Sequence, residues 1–179
     1  MLGDNRGELG GSEYLALLHN RVAGAPPALD LTRERALQRV VIDGIRTGLI
    51  ESAHDCAEGG LAVALAECCF DTEFGVTADV ASVGNVPETF RVNATLFGES
   101  ASRVVVSTAP AALPALLDAA RTARVAAAEI GQVGGDRIRL AIAGQAMIDI
   151  ARGEAETLWS TAIERRMTDP GKQETKHVR

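Results

Sequence analysis

The stretch His54-Asp55-Cys56-Ala57-Glu58-Gly59-Gly60-Leu61 holds the densest group of chemically capable side chains in the sequence. Two glycines just ahead of an apolar helical run let the backbone come close to a phosphate, because the first N–H groups of a helix point outward. His54, Asp55 and Glu58 could then hold a metal-bridged phosphate or position a substrate amine. A plainer reading uses the same residues: Gly59-Gly60 permits the turn, Asp55 caps the helix, and His54 is structural. No Gly-Lys-Ser/Thr follows, so this is not a Walker loop, and the Gly-x-Gly-x-x-Gly of dinucleotide binders is absent.

A second group lies in Leu96-Phe97-Gly98-Glu99-Ser100-Ala101-Ser102-Arg103, directly before the Val104-Val105-Val106 run. Polar residues at the entry to a buried strand can converge on a ligand there, with Arg103 holding a phosphate through its planar fork. The alternative is an Arg103–Glu99 pair and a serine cap at Ser100. A third group is Gly10-Gly11-Ser12-Glu13-Tyr14, a glycine pair leading into a helix. Its first donors could take a phosphate, or Ser12 could simply cap the helix with Glu13 at the positive end of the dipole. Cys56, Cys68 and Cys69 lack zinc-ligand spacing and read as small core residues. No Ser-His-Asp set or cysteine nucleophile can be assembled, so no residue is assigned a catalytic or metal-ligating role.

The elements that must position these groups follow from periodicity. Ser12 opens a short helix through Leu15, Leu17, Leu18 and Val22, broken by Gly24 to Pro27. Leu37, Val40, Val41 and Ile45 predict a longer one, capped by Asp30 or Thr32 and ended by Gly48. Ser52 to His54 reads as a short strand, followed after the Gly59-Gly60 turn by a helix over Leu61 to Cys68. Gly75 to Val80 alternates as a half-buried strand, Asn93 to Phe97 is ambiguous, and Arg103 to Ser107 reads as a central strand. Pro110 starts a helix over Leu113 to Ala120. Ala128–Val133 and Ile138–Ile142 flank Gly134-Gly135-Asp136, a hairpin signal. A last helix carries Leu158, Trp159, Ala162 and Ile163. The expected class is α+β: a layered α/β/α domain with a mixed sheet. Residues 1–11 are expected to be an incoming linker, 12–166 the domain, and 167–179 a disordered tail.

Composition bounds the function. The chain has 179 residues, net charge -6, three cysteines and six aromatic residues. That length suits one domain able to bury roughly 70% of its unfolded surface. The acidic balance and scarce aromatics argue against nucleic-acid binding. No segment approaches the ~20 apolar residues of a membrane helix, and Met1 to Arg6 carries no export pattern. With an odd cysteine count, a reduced, cytoplasmic setting is expected.

The order of motifs is itself distinctive. Gly10-Gly11-Ser12-Glu13-Tyr14-Leu15 is followed by Asp43-Gly44-Ile45 through Gly48-Leu49-Ile50. Ala53-His54-Asp55-Cys56-Ala57-Glu58-Gly59-Gly60-Leu61 then runs on to Ala64-Leu65-Ala66-Glu67, before Leu96 to Arg103 and Ile130-Gly131-Gln132-Val133. Over about residues 7–167 this resembles the C-terminal domain of the aminoimidazole ribonucleotide synthetase superfamily. More narrowly it resembles the last domain of the phosphoribosylformylglycinamidine synthase family, small-subunit type. The resemblance implies part of an ATP- and Mg²⁺-dependent amidation in purine biosynthesis, with A-type and further B-type domains, a separate glutaminase and small accessory subunits as partners. It also implies that the nucleotide and metal ligands lie mostly in those other domains, so that this chain alone is inactive. Gly10, Gly11, Ser12, His54, Asp55, Glu58, Gly59, Gly60, Glu99, Ser100 and Arg103 are then expected to border an auxiliary nucleotide or substrate cleft. Ala101 stands where the family's Glu-Ser-Gln run has glutamine, which removes an amide donor and acceptor. The alternatives are a purely structural or nucleotide-holding module, or the same domain from a related synthetase. A domain that docks on absent partners is expected to expose an apolar patch.

Overall fold

The computed structural model of the chain describes residues 1–168. In chain order the elements are α1 (Glu13–His19), α2 (Leu31–Arg46), β1 (Ser52–Asp55), α3 (Gly60–Glu67), β2 (Val76–Val80), α4 (Glu88–Phe97), β3 (Val104–Ser107), α5 (Leu113–Thr122), β4 (Gly131–Val133), β5 (Arg137–Ile142), β6 (Gln145–Ala151), α6 (Arg152–Ser160) and α7 (Ala162–Thr168).

Layering follows from which faces are apolar. Strands β1 and β3 form an antiparallel pair with Ser52 opposite Ser107 and Asp55 opposite Val104. On one side Val104 and Val106 join Leu37, Val40, Ile50, Leu116, Ala120 and Val125, so α2 and α5 cover that face. On the other, Val105 meets a second cluster built around Leu61, Ala62, Ala64 and Leu65 of α3. Helix α3 is apolar nearly all round because it lies between two sheets, and its alanines let both approach. Beyond it lies the second sheet, in the order β4-β2-β5-β6. Strands β2 and β5 are parallel, whereas β2–β4 and β5–β6 are antiparallel. The expected mixed sheet and layered α/β/α arrangement are present, extended by this further β layer. Val76, Ala78, Val80, Ile138, Leu140 and Ile142 point into the core, while Thr77, Asp79 and Arg139 are exposed. Period-two alternation of this kind is what a sheet covered on one face requires.

Several expectations are corrected. Gly134-Gly135-Asp136 closes no hairpin, because β2 lies between β4 and β5. The glycine loop instead clasps the start of β2, with Gly75 N–H donating to the Gly135 carbonyl at 2.8 Å and Gly134 N–H to the Gly75 carbonyl at 2.9 Å. The hairpin joins β5 to β6, a strand not foreseen. It turns at Ala143 (φ 49°) and Gly144 (φ 80°), the two positive-φ positions of a type I′ turn. The Asp79 carboxylate accepts from Gly144 N–H at 3.1 and 3.0 Å, holding that turn. The valine run of β3 is the centre of the small sheet only, flanked by β1 and by a bridge to Leu2. Residues 93–97 belong to α4.

The segment expected as a linker is folded. Leu2 is 1% exposed and bridges both Val104 and Ala127, an apolar side chain filling the α2–α5 core. Helix α1 stops at His19 rather than reaching Val22, because Asn20 turns left-handed at φ 49°. Asp30, not Thr32, caps α2, accepting from Thr32 N–H at 2.9 Å and Arg33 N–H at 3.2 Å. Ile45 is exposed on that helix, outside the buried stripe of Leu37, Val40 and Gly44. Leu17, Leu18, Val22, Leu29 and Leu31 are all more than half exposed along α1, the connection to α2 and the first residue of α2. Of the expected tail, Met167 and Thr168 end α7, and the remainder lies outside the described residues. No helix among the described residues is long and apolar enough to cross a membrane.

Candidate functional site

The three glycine-containing groups meet at one carboxylate. Glu99 follows Gly98, where α4 ends, and its Oε1 accepts from Gly59 N–H at 2.8 Å and Glu13 N–H at 2.9 Å. One side chain therefore joins the turn before α1, the turn before α3 and the exit of α4. Ser12 caps α1, its Oγ accepting from Leu15 N–H at 3.3 Å and donating to the Leu9 carbonyl at 2.6 Å. Gly10 and Gly11 form the turn ahead of it. Tyr14 stacks on Phe97 with ring centroids 5.4 Å apart, packing α1 against α4 beside this junction.

Gly60 is where the glycine pair is demanded rather than tolerated. Its φ is +68°, and a Cβ there would sit 2.6 Å from the Gly98 carbonyl oxygen and 2.8 Å from the Phe97 carbonyl carbon. Both contacts are backbone, so neither can swing away, and α3 reaches α4 this closely only because the side chain is absent. Gly59, with φ +78°, occupies the N-cap position without a side-chain cap, so Asp55 does not cap α3.

Ser100 and Arg103 lie beneath the junction, buried. Ser100 Oγ accepts from Arg6 N–H at 3.1 Å and Glu8 N–H at 3.4 Å. Arg103 Nε donates to the Ser100 carbonyl at 2.9 Å and Nη2 to the Gly98 carbonyl at 2.5 Å. The expected alternative, an Arg103–Glu99 ion pair, is not formed among the described residues. Burial pulls the Arg103 pKa below the ordinary arginine value, against the nearby Cys56, Glu8 and Glu99. Its Nη1 is buried without a hydrogen-bond partner among the described residues. The guanidinium thus clamps the Gly98–Ser100 carbonyls from inside and does not reach solvent.

Sequence reasoning missed Glu8. Its carboxylate accepts from Ala28 N–H at 2.9 Å and Arg6 Nε at 3.1 Å. Burial alone would raise its pKa, but the Ala28 amide, Ser100 and Arg6 outweigh that and hold it below the ordinary glutamate value. The only available signal was the polar run Asp4 to Glu8, which reads equally as a linker.

His54 and Asp55 are not part of this junction. His54 Nε2 lies 3.5 Å from Glu67 Oε2, at the C-terminal end of α3. That end is roughly 10 Å along the helix axis from Gly60 at 1.5 Å per residue. Its Nδ1 is 2.8 Å from the Asp55 carbonyl oxygen. Asp55 and Glu58 are exposed, and the Glu58 carboxylate has no hydrogen-bond partner among the described residues. Gly10, Gly11, Ser12, Gly59, Gly60, Glu99, Ser100 and Arg103 are therefore brought together, with Glu58 at the rim. The Gly59 amide that could meet a phosphate already donates to Glu99.

Residues 1–142 match the family described as AIR synthase related protein, C-terminal domain. Among curated proteins, phosphoribosylformylglycinamidine synthase subunit PurL of Moorella thermoacetica is 43% identical over 163 residues, covering 91% of this chain and 21% of that protein. The Thermomicrobium roseum subunit of the same name is 44% identical over 163 residues, with the same two coverages. The chain thus spans about a fifth of the length of the curated relatives it matches. Among solved structures, T. maritima PurL complexed with ATP superposes with a TM-score of 0.67 at 18% identity, over 87% of this chain and 24% of that one. PurLQS from Thermotoga maritima gives 0.64 at 19%, over 80% and 24%. These two likenesses concern the fold. The resemblance seen in the order of motifs is borne out, and the chain belongs to the AIR synthase related protein C-terminal domain family.

Proposed function

We propose that this chain serves as the last B-type domain of a phosphoribosylformylglycinamidine synthase, in the cytoplasm. That enzyme converts formylglycinamide ribonucleotide, ATP and ammonia to formylglycinamidine ribonucleotide, ADP and phosphate. The observation that carries this reading is the 43% identity with a PurL subunit across 91% of the chain. ATP, which one of the similar structures contains by its description, and Mg²⁺ then act in the intact enzyme. A-type and further B-type domains, a glutaminase and small accessory subunits are its partners. Among the described residues no three His, Cys, Asp or Glu side chains converge as a metal site. In this reading Mg²⁺ acts with ATP in the remaining domains, and no step is routed through it here. The chemistry belongs to the remaining domains, and this chain alone does not turn over. The decisive experiment supplies the chain to a PurL relative shortened by its last fifth. ATP- and ammonia-dependent product should be restored by the pair and absent from either alone; turnover by this chain alone, or no restoration by soluble folded partners, overturns the reading.

A second reading has its own support: the domain is a scaffold, with Gly10, Gly11, Ser12, Glu58, Gly59, Gly60, Glu99, Ser100 and Arg103 shaping a cleft that holds no nucleotide. It is favoured by Glu99, which already fills the amides of Gly59 and Glu13. Titration calorimetry with ADP and Mg²⁺ separates the two roles, since micromolar binding by this chain counts against the scaffold.

A further inference from the structure

Helix α2 has two unlike faces. Leu37 and Val40 are buried in the core shared with α5 and β3, and Gly44 is buried on the same side. On the opposite side, with residues stepping about 100° around the axis, two exposed rows run along the helix. Leu31, Ile42 and Ile45 form an aliphatic row, 73%, 47% and 52% exposed, with Gln38 between them. Arg35, Arg39 and Arg46 form a basic row beside it, all three exposed. From Arg35 to Arg46 that row covers roughly 16 Å at 1.5 Å per residue.

None of these three guanidinium groups makes an ion pair or a hydrogen bond among the described residues. The shallow recess between them, about 280 Å³, is lined by Arg35, Gln38, Arg39, Ile42, Asp43 and Arg46. All six belong to α2, so no other element brings a counter-charge into it. Two carboxylates border the face. Glu34 is committed elsewhere, accepting from Ser102 Oγ at 2.6 Å and from Gln38 Nε2 at 2.7 Å. Asp43 alone then stands beside three arginines, on a chain whose net charge is -6. A face shaped only for solvent has no use for three aliphatic side chains in register with an arginine row.

We propose that this face of α2 binds an acidic amphipathic helix of a separate protein partner. The partner's aliphatic residues pack on Leu31, Ile42 and Ile45, and its carboxylates meet Arg35, Arg39 and Arg46. The planar guanidinium fork matches a carboxylate, and arginine is favoured at protein interfaces where lysine is not. Two helices read one another through side chains one turn apart, which is how both rows are spaced. A second copy of this chain does not suit the same face, since two-fold packing sets one arginine row against the other. Nucleic acid would meet the arginines but leave the aliphatic row unused, and a net negative chain repels its phosphates. Exposed charges make the contact salt-sensitive and reversible, as fits a partner that comes and goes. The proposal does not rest on the amidation reading.

The test titrates the full chain into a fluorescent synthetic helix of about eighteen residues, or five turns, with leucines along one row and glutamates along the next. Fluorescence anisotropy at low salt should show saturable binding, weakened by about tenfold or more in Arg35→Glu/Arg39→Glu/Arg46→Glu and in Ile42→Asn. Replacing the peptide's glutamates with lysines should restore binding to the triple variant. All four positions are exposed, so the buried face of α2 is untouched, and far-UV circular dichroism checks that each variant is folded. Arg166→Glu, on α7, should leave binding unchanged. The proposal is overturned if the parent shows no saturable binding, if a scrambled peptide of the same composition binds equally, or if the folded triple variant keeps the parent's affinity. It is likewise overturned if the triple variant abolishes tighter binding of a single-stranded oligonucleotide, or dissolves a dimer seen by light scattering.

Discussion

Substituting Glu99 with alanine deletes the acceptor shared by Gly59 and Glu13, and the cost can be worked from its two bonds. A hydrogen bond to a charged acceptor contributes about 1.5–3 kcal/mol. The bond to Gly59, 2.8 Å and partly buried, is placed at about 2 kcal/mol within that range. The bond to Glu13, 2.9 Å and solvent-exposed, is replaced by water and adds about 0.5 kcal/mol. Glu99→Ala should therefore destabilise the chain by roughly 2.5 kcal/mol. Glu99→Gln keeps a carbonyl acceptor for both amides and loses only the charge assistance. Charge-assisted bonds being about twice as strong as neutral ones, its loss should be about 1 kcal/mol. Urea unfolding followed by far-UV circular dichroism measures both, with an unchanged m-value as the condition for comparing midpoints. If Glu99→Ala stays within about 0.5 kcal/mol of the parent, as ordinary surface substitutions do, the carboxylate does not join these turns in solution. If Glu99→Gln costs as much as Glu99→Ala, acceptor geometry is not what matters and the reasoning fails.

Other consequences are checked more briefly. Gly60→Ala forces a Cβ onto the backbone of Phe97 and Gly98 at positive φ, so a loss of roughly 3 kcal/mol is expected from strain and overpacking; a melting temperature equal to the parent's would contradict it. Glu8 has a folded pKa below its unfolded value, so its contribution is complete above the unfolded glutamate pKa and is lost as pH falls through the folded one. Stability curves of parent and Glu8→Gln should consequently differ at neutral pH and converge in acid, and parallel curves would remove Glu8 from that role. Burial, then the neighbouring Cys69, Cys56 and Glu67, pushes the Cys68 thiol up to about 11. At pH 8 its alkylation by iodoacetamide should be on the order of 10² slower than that of an ordinary cysteine, because only the thiolate reacts; labelling at the rate of free cysteine would show that the sulfur is not so placed.

How much of this was legible in the sequence depends on whether a residue's role is local. The caps of Ser12 and Asp30, the alternation of β2 and the apolar α3 were readable because propensity and periodicity act over a few neighbours. Glycine pairs mark turns but do not say which strands they separate. Gly134-Gly135 therefore looked like a hairpin, although the insertion of β2 is set by packing elsewhere. Ala143-Gly144 lacks the Asn-Gly or Asp-Gly signature and is held by Asp79 from another strand. Leu2 looked like linker because one leucine among glycines and charges has no periodicity, and its burial depends on Val104 and Ala127. The segments around Ser12, Gly59-Gly60 and Glu99 lie together in the fold, but their partners there were not legible. Gly59, Gly60, Glu99 and Ser100 converge, yet nothing local indicates that Glu99 takes the amides or that Arg103 faces inward. His54 and Asp55 adjoin the glycine pair in sequence, but His54 faces Glu67 at the other end of α3 and Asp55 closes β1 opposite Val104.

The bridge from Leu2 to Val104 and Ala127 sets an order of assembly. Closing a loop costs chain entropy that grows with its length, and contacts between remote residues are repaid only once their partners are in place. The α2–α5 core therefore cannot take up the segment around Leu2 until the residues as far as Ala127 are in place, whereas α3 and its neighbours can gather earlier around shorter loops. A version of the domain truncated before Val104 must leave Leu2 without either partner of its bridge.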